Sequence, residues 1–316
     1  MAPAGPTTAA TLLDPDNPWP GLESYDESSH EYFSGRRAES EELQRRIVDE
    51  PTTVLFGKSG LGKTSLLRAG VFPRLRDRGL LPVFIRLQIR PDTAALIEQV
   101  RLAFRAELRA QAVEHGEPAP DETLWEYLHR SGQEFWTRQN RLVRPVFVFD
   151  QFEELFTLGR AVPAAVAGFR EDLADLAENR IPAAVARRLE RDAGLARGLD
   201  VQAMPYKVVI SLREDFLADL EGWRVTMPSL RRNRMRLLPL GPAQAFEAVC
   251  NERTRHLVPE PLAHRIVAFL SSGAGADGDA ADGQARTVEP ALLSLFCRGV
   301  NEHRKRDGKA RFDEAL

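Results

Sequence analysis

Eight consecutive residues, Gly57-Lys58-Ser59-Gly60-Leu61-Gly62-Lys63-Thr64, carry the spacing G-x-x-x-x-G-K-[ST]. Glycines at 57, 60 and 62 let the main chain curl around phosphate oxygens with its N–H groups pointing inward. Lys63 brings a positive charge to the β- and γ-phosphates, and Thr64 offers a hydroxyl to Mg2+. Ser59, Leu61 and Ser65 complete the loop and the first helical turn beyond it, whose N-terminal dipole faces the anion. The apolar run Val54-Leu55-Phe56 reads as a strand entering the loop, and Thr64 to Ala69 as the helix leaving it. The fixed positions coincide by accident in only about one chain in a hundred of this length, and the strand-before, helix-after context makes accident rarer still. The pattern implies a bound nucleoside triphosphate.

A second group could act on that ligand. Asp150-Gln151-Phe152-Glu153-Glu154 follows the apolar run Val146-Phe147-Val148-Phe149. An acid at the C-terminal end of a buried strand, downstream of a phosphate loop, is where such folds hold Mg2+. Asp150 is therefore the expected metal contact with Thr64, directly or through water. Glu153 or Glu154 would polarise the attacking water, and spacing does not choose between them. The competing reading is an acidic first turn favoured by the helix dipole; the loop at 57–64 tips the balance towards metal. Arg213, in Ser211-Leu212-Arg213-Glu214-Asp215 at the end of the next strand, can reach a γ-phosphate and report its presence. It can equally pair at the surface with Glu214 or Asp215, the more ordinary arrangement for such a sequence. The only dense basic cluster, Arg231-Arg232-Asn233-Arg234 with Arg236, has no interleaved aromatic residues for base stacking. It reads as a solvated face, and nucleic acid is not an expected partner.

These groups need a scaffold. The 316 residues can hold one large or two modest domains, and a net charge of −3 calls for neither nucleic acid nor an anionic membrane. No apolar stretch approaches the roughly 20 residues of a membrane span. The first 14 residues contain no lysine or arginine, unlike a signal peptide, so a soluble cytoplasmic protein without a membrane partner is expected. Cys250 and Cys297 read as buried small apolar residues, and the six histidines show no metal-site spacing. Residues 1–15 are expected to be disordered, with Asp16 to Gly21 an extended lead-in. Helices are expected over Glu39 to Val48, Thr93 to Arg109, a segment capped by Asp121, and Pro182 to Leu195. This last lies in a long connection, 178–202, for which the sequence suggests no role. Strands are expected at Val83-Phe84-Ile85, Val146 to Phe149, Lys207 to Ser211 and, more weakly, Met235 to Leu240. From Pro242 the chain reads as helix, broken by a Gly/Ala/Asp-rich tract from Ser271 to Arg286, which reads as a mobile loop. The fold class is α/β: a three-layer αβα P-loop core with a mostly parallel sheet over 16–240, then a small all-helical lid over 241–316.

The assembled pattern resembles the STAND class of P-loop NTPases, specifically the bacterial novel STAND group, related to NACHT and AAA+ ATPases. The resemblance runs from Asn17 to about residue 305. It rests on Asn17-Pro18-Trp19-Pro20-Gly21-Leu22, on Tyr32-Phe33-Ser34-Gly35-Arg36, on Ser65 to Pro73 and, most specifically, on Val148 to Phe156. It implies that the turn at Gly35 and Arg36 lies against the adenine and that Arg213 is a phosphate sensor. Val288-Glu289-Pro290-Ala291-Leu292-Leu293 is similar to the proline motif of the lid, which implies an adenine contact for Pro290; unaided, a proline there is ordinary N-terminal capping. The winged-helix and sensor domains usual in the group are absent from this sequence.

The resemblance implies an ATP/ADP-operated signalling switch with slow Mg2+-dependent hydrolysis, self-association in the ATP state, and an upstream sensor and downstream effector that the residues do not name. An AAA+-type motor remodelling protein or nucleic acid is the alternative; it would need fast hydrolysis, and Asp150 lacks the immediately following acid usual in motors. A nucleotide-binding scaffold without hydrolysis is the third reading.

Overall fold

Four short runs rich in β-branched and aromatic residues, and a fifth of only three residues, Arg234-Met235-Arg236, pair into one sheet. In this computed structural model, which describes residues 13–90, 92–119, 121–192, 194–272 and 286–313, the strands are β1 (Thr52–Gly57), β2 (Leu80–Ile85), β3 (Arg144–Phe149), β4 (Lys207–Arg213) and β5 (Arg234–Arg236). Their order is β2-β3-β4-β1-β5, and every ladder is parallel. Strands paired this way are covered on both faces, so they read as unbroken apolar runs. Val146, Phe147 and Val148 are accordingly fully buried.

The helices are α1 (Arg37–Asp49), α2 (Lys63–Ser65), α3 (Phe72–Asp77), α4 (Leu96–Ala110), α5 (Leu124–His129), α6 (Glu154–Thr157), α7 (Pro163–Ala177), α8 (Ala183–Arg191), α9 (Leu217–Glu221), α10 (Pro242–Val249), α11 (Glu260–Ser272) and α12 (Pro290–Arg306). A π-helical stretch, Leu66–Val71, joins α2 to α3.

The chain divides into two compact units, each discontinuous in sequence. The first comprises the described residues of Met1–Ser40, Ser59–Pro73 and Leu238–Leu316; the second comprises Glu41–Lys58 and Arg74–Leu237. The second unit holds the whole sheet. Its core gathers apolar side chains from the strands and from α4, α5, α7 and α8, with Phe104 set edge-on to Phe147 at 5.3 Å and to Phe135 at 5.4 Å. The first unit is built on α10, α11 and α12, and Trp19 of the lead-in packs against Phe312 at 5.7 Å.

The lead-in binds along α12 through main-chain and side-chain groups. Gly21 N donates to Ser294 Oγ (3.0 Å), Arg298 Nη1 to Pro20 O (2.8 Å), and Asn301 Nδ2 to Asp16 O (2.6 Å). Residues 294, 298 and 301 are spaced three and four apart, so they share one helix face. Both cysteines are buried and unpaired with each other, and burial pushes the Cys297 thiol up to about 12.

Some expected boundaries move. Thr123, not Asp121, caps α5: its Oγ accepts from Glu126 N (3.1 Å), and Glu126 Oε2 accepts from Thr123 N (2.9 Å). This reciprocal box satisfies two helix-end donors at once. Strand β5 ends at Arg236 rather than reaching Leu240, since Pro239 has no N–H for a ladder. Helix α8 ends at Arg191, short of Leu195, where the Asp192 side chain accepts from Gly194 N (2.8 Å) and turns the chain. The connection 178–202 nevertheless contributes to the core: Val185 is buried and Arg188 pairs with Glu126 at 2.5 Å. The expected disorder of residues 1–15 falls mostly outside the described residues, as does most of the loop from Ser271 to Arg286. Among the described residues no helix is long and apolar enough to cross a membrane.

Candidate nucleotide-binding site

Residues 59–64 of the phosphate loop lie in the first unit, and hydrogen bonds fix several of its peptide planes. Gly60 and Gly62 have φ of 77° and 81°, a region open to glycine and strained for other residues. Three successive carbonyls are taken by protein donors. Gly60 O accepts from Ala291 N (3.2 Å), Leu61 O from Arg36 Nη2 (3.4 Å), and Gly62 O from Leu66 N (2.8 Å). In a trans peptide the C=O and the following N–H point in opposite directions. The amides of Leu61, Gly62 and Lys63 therefore each point away from the group that holds the preceding carbonyl. Lys63 and Thr64 open α2, with Gly62 as its N-cap. The donor set fits a nucleotide's phosphate chain. The Ser65 hydroxyl is turned elsewhere and accepts from Tyr25 N (3.1 Å).

Gly35 and Arg36 stand beside this loop. Gly35 has φ of 80°, and a Cβ there would lie 2.3 Å from Gln244 O, so only glycine lets the α10 backbone come so close. Arg36 is 4% exposed. Its guanidinium donates to Leu61 O, to Leu238 O (2.7 Å) and to Glu39 Oε1 (2.6 Å). Gln244 Nε2 also donates to Glu39 Oε1 (2.8 Å), while Gln244 Oε1 accepts from Gly241 N (2.9 Å). Burial lowers the Arg36 pKa, and Glu39 opposes that shift. The Arg36 side chain thus serves the loop and the entry to α10. Pro290 is the first residue of α12, and a Cβ on Gly62 would lie 4.0 Å from its Cβ.

The second unit carries the acids at the C-terminal ends of its strands. After β1 the chain runs out to β2 and returns through β3 and β4; it then crosses β1 to reach β5. Such a reversal of direction is where open α/β sheets bind ligands, outside the carboxyl ends of the strands. Gly57, which begins the phosphate loop, ends β1 and is the register partner of Arg213. Asp150 follows β3, is 5% exposed, and its amide donates to Ile85 O (2.9 Å). Gln151 then takes φ of 53°, an uncommon state for a residue with a side chain. Phe152 N donates to Ser211 O (3.0 Å), which closes the turn against β4.

This turn separates the two glutamates. Glu153 Oε2 accepts from Arg213 N (3.1 Å), at the tip of β4. Glu154 Oε1 meets Arg86 Nη2 at 3.3 Å, just past the end of β2. Since β2 and β4 flank β3 on opposite sides, Glu153 leans towards the β4–β1 side and Glu154 away from it. The Arg213 guanidinium pairs with Asp215 and lies over the Phe216 ring at 5.7 Å. Of the basic cluster, Arg234 pairs with Glu221 (2.5 Å) and Arg236 with Glu214 (3.0 Å), while Arg231 and Arg232 are exposed.

Four participants were not singled out from sequence. Ala291 acts through its amide, which leaves no side-chain signal. Gln151 matters for its backbone and Arg86 for its place at the end of a neighbouring strand. Glu39 could have been found, because it follows Arg36 at helical spacing (i, i+3).

A parallel sheet of this order, with a G-x-x-x-x-G-K-[ST] loop leaving β1 and an acid closing β3, defines a P-loop nucleoside triphosphatase. The family model described as Novel STAND NTPase 1 matches residues 18–276. The chain belongs to the novel STAND NTPase family, whose chemistry is nucleotide binding and hydrolysis. No curated protein matches it in sequence.

Solved structures share the fold. The ORC2 protein of Aeropyrum pernix in its ADP form aligns with a TM-score of 0.55 and 14% identity, over 90% of this chain and 67% of that one. The same protein in its ADPNP–ADP complexes gives 0.52 and 13%, over 89% and 65%. A Walker-type ATPase of Pyrococcus abyssi gives 0.50 and 16%, over 91% and 72%. The chain thus spans about two thirds of the length of these structures.

Proposed function

We propose that this chain is an ATP/ADP-operated switch whose slow Mg2+-dependent hydrolysis resets it, with the α10–α12 bundle responding to the state of the nucleotide. One observation carries this reading: residues 59–64 of the loop belong to one unit with the bundle, and the first turn of α12 donates a hydrogen bond to the loop at Gly60 O. A ligand changes such an equilibrium only through unequal affinity for two arrangements. Moving it from 1:99 to 99:1 takes a difference of about 10⁴-fold. A bundle bonded to the phosphate-binding backbone is well placed to express such a difference.

In this reading the amides of Leu61, Gly62 and Lys63 hold the phosphates, with the Lys63 ammonium adding charge. Thr64 and Asp150 would hold Mg2+, which when bound neutralises charge on the phosphate oxygens. Glu153 accepts a proton from water, oriented by the Arg213 amide. Arg213 reports the γ-phosphate after exchanging its Asp215 partner for it. Gly35 and Pro290 bound the adenine pocket. Exposed Leu292, Leu295 and Phe269 on the bundle support self-association in the ATP state. An upstream sensor and a downstream effector, in the cytoplasm, complete the switch.

The test is purification without added nucleotide, followed by release of bound ligand and a steady-state assay. The switch gives retained ADP and turnover well below one per second, under the usual enzyme range. Fast hydrolysis stimulated by a polymer supports a remodelling motor instead. Bound nucleotide with no phosphate release supports a scaffold.

A further inference from the structure

Two of the loop carbonyls are held by groups far from it in sequence. Arg36 lies in the lead-in to α1 and takes Leu61 O; Ala291 lies in the first turn of α12 and takes Gly60 O. Each bond fixes one peptide plane, and with it the direction of the next amide, because the trans peptide is rigid. We propose that Arg36 and the Ala291 amide are positioning groups that preset the phosphate loop and couple the orientation of its peptides to attachment of the helical bundle. This rests on the reading of the loop as a nucleotide site.

The rest of the network agrees. Arg36 also donates to Leu238 O, at the start of the segment leading into α10, and to Glu39. Glu39 in turn accepts from Gln244 on α10, so one buried guanidinium joins the loop to the entrance and the first turn of that helix. Lysine would keep the charge at position 36, but a single ammonium cannot reproduce a planar fork spanning three acceptors. Ala291 is the second residue of α12, where its N–H has no intrahelical acceptor. Its bond to Gly60 O therefore satisfies one helix-end donor and orients the loop together. A peptide flip at Gly60–Leu61, open to a glycine with φ of 77°, would take the Leu61 amide from the phosphate and the Gly60 carbonyl from α12 in one movement. Loss of the phosphate contact and release of the bundle are then a single event.

Ala291→Pro deletes this donor within the first helical turn, where no intrahelical bond is lost, and Ala291→Ser keeps it. The measurement is calorimetric affinity for ADP and for ATP with Mg2+, with kcat at saturating ATP, on variants of the 316-residue chain whose nucleotide-free melting is recorded. The expected result is affinity weakened about tenfold for Ala291→Pro and for Arg36→Lys, the scale of one hydrogen bond. Ala291→Ser should bind like wild type, and kcat should stay within about twofold in every case, because neither group touches the reacting atoms. Hydrogen exchange adds a readout that a purely structural role would not move: nucleotide should slow exchange in the first turn of α12 in wild type and Ala291→Ser, and leave it unchanged in Ala291→Pro. Wild-type affinity in both Ala291→Pro and Arg36→Lys overturns the proposal, as does an α12 first turn insensitive to nucleotide in wild type. If Ala291→Pro fails to fold, Arg36→Lys decides alone. A wild-type protein that binds no nucleotide refutes the site itself, a different failure.

Discussion

Gly57 and Arg213 face each other across the β1–β4 ladder as register partners. The residue that starts the phosphate loop is thus level with the residue whose amide holds Glu153. Glu154 belongs to the other side of β3, with Arg86. Glu153→Gln should therefore retain ATP and lose hydrolysis by at least 100-fold, within the range of a general base. Glu154→Gln should hydrolyse within about threefold of wild type, because its exposed pair with Arg86 is worth little. Single-turnover phosphate release from the two variants is the check, and a reversed order would move the base to Glu154.

Arg213 is now paired with Asp215 at the surface. Exposed pairs contribute about 0–1 kcal/mol, so Arg213→Ala and Asp215→Ala should each leave the melting temperature nearly unchanged. Their activities should differ. Loss of Arg213 should slow hydrolysis at least tenfold, whereas loss of Asp215 frees the guanidinium and should not. Equal activity in both variants would make Arg213 only a surface charge.

Gln151 bears a left-handed backbone between Asp150 and the two glutamates. Such a conformation costs about 1–3 kcal/mol for a residue other than glycine. Gln151→Gly relieves it and adds flexibility to the unfolded chain, for a net gain of about 0.5–1 kcal/mol. Urea unfolding should show a higher midpoint with an unchanged slope; a lower midpoint would mean that contacts of the glutamine side chain outweigh the strain.

Asp172 gives the chain a pH-dependent weakness. It lines a groove with Ile97, Leu124, Trp125 and Leu176, and burial of its carboxyl, with Asp175 and Glu171 beside it, pushes its pKa up to about 6. The folded pKa exceeds the unfolded value of about 3.9, so ionisation favours the unfolded chain. The penalty is absent below about pH 4, grows as pH rises towards 6, and is complete above. The residue is exposed as a whole, and solvent screening reduces the effect to about 1 kcal/mol. Asp172→Asn should raise the melting temperature at pH 7.5, with the gain fading as pH falls from 6 to 4. A gain that is constant with pH would point to a cause other than ionisation.

The sheet was legible because its strands are apolar on both faces, and the loop because its glycines, Lys63 and Thr64 sit at fixed spacing. The choice between Glu153 and Glu154 was not. It depends on which strands flank β3, and no local pattern encodes strand order. The cap of α5 was misread because Asp121 and Thr123 are both good caps, and only Thr123 has Glu126 three residues later to complete the box. The grip of Ala291 on Gly60 joins residues 231 apart through main-chain atoms alone, so side-chain identities could not announce it. The seat of the lead-in along Ser294, Arg298 and Asn301 appears only when α12 is in place.

The most direct test of the account is calorimetric titration of ATP with Mg2+ into nucleotide-free wild type and Lys63→Ala. The account predicts saturable binding of one nucleotide per wild-type chain and a loss of at least 100-fold in the variant, with melting of the nucleotide-free proteins unchanged. Wild-type protein that takes up no nucleotide, or a Lys63→Ala variant that binds as tightly as wild type, would contradict it.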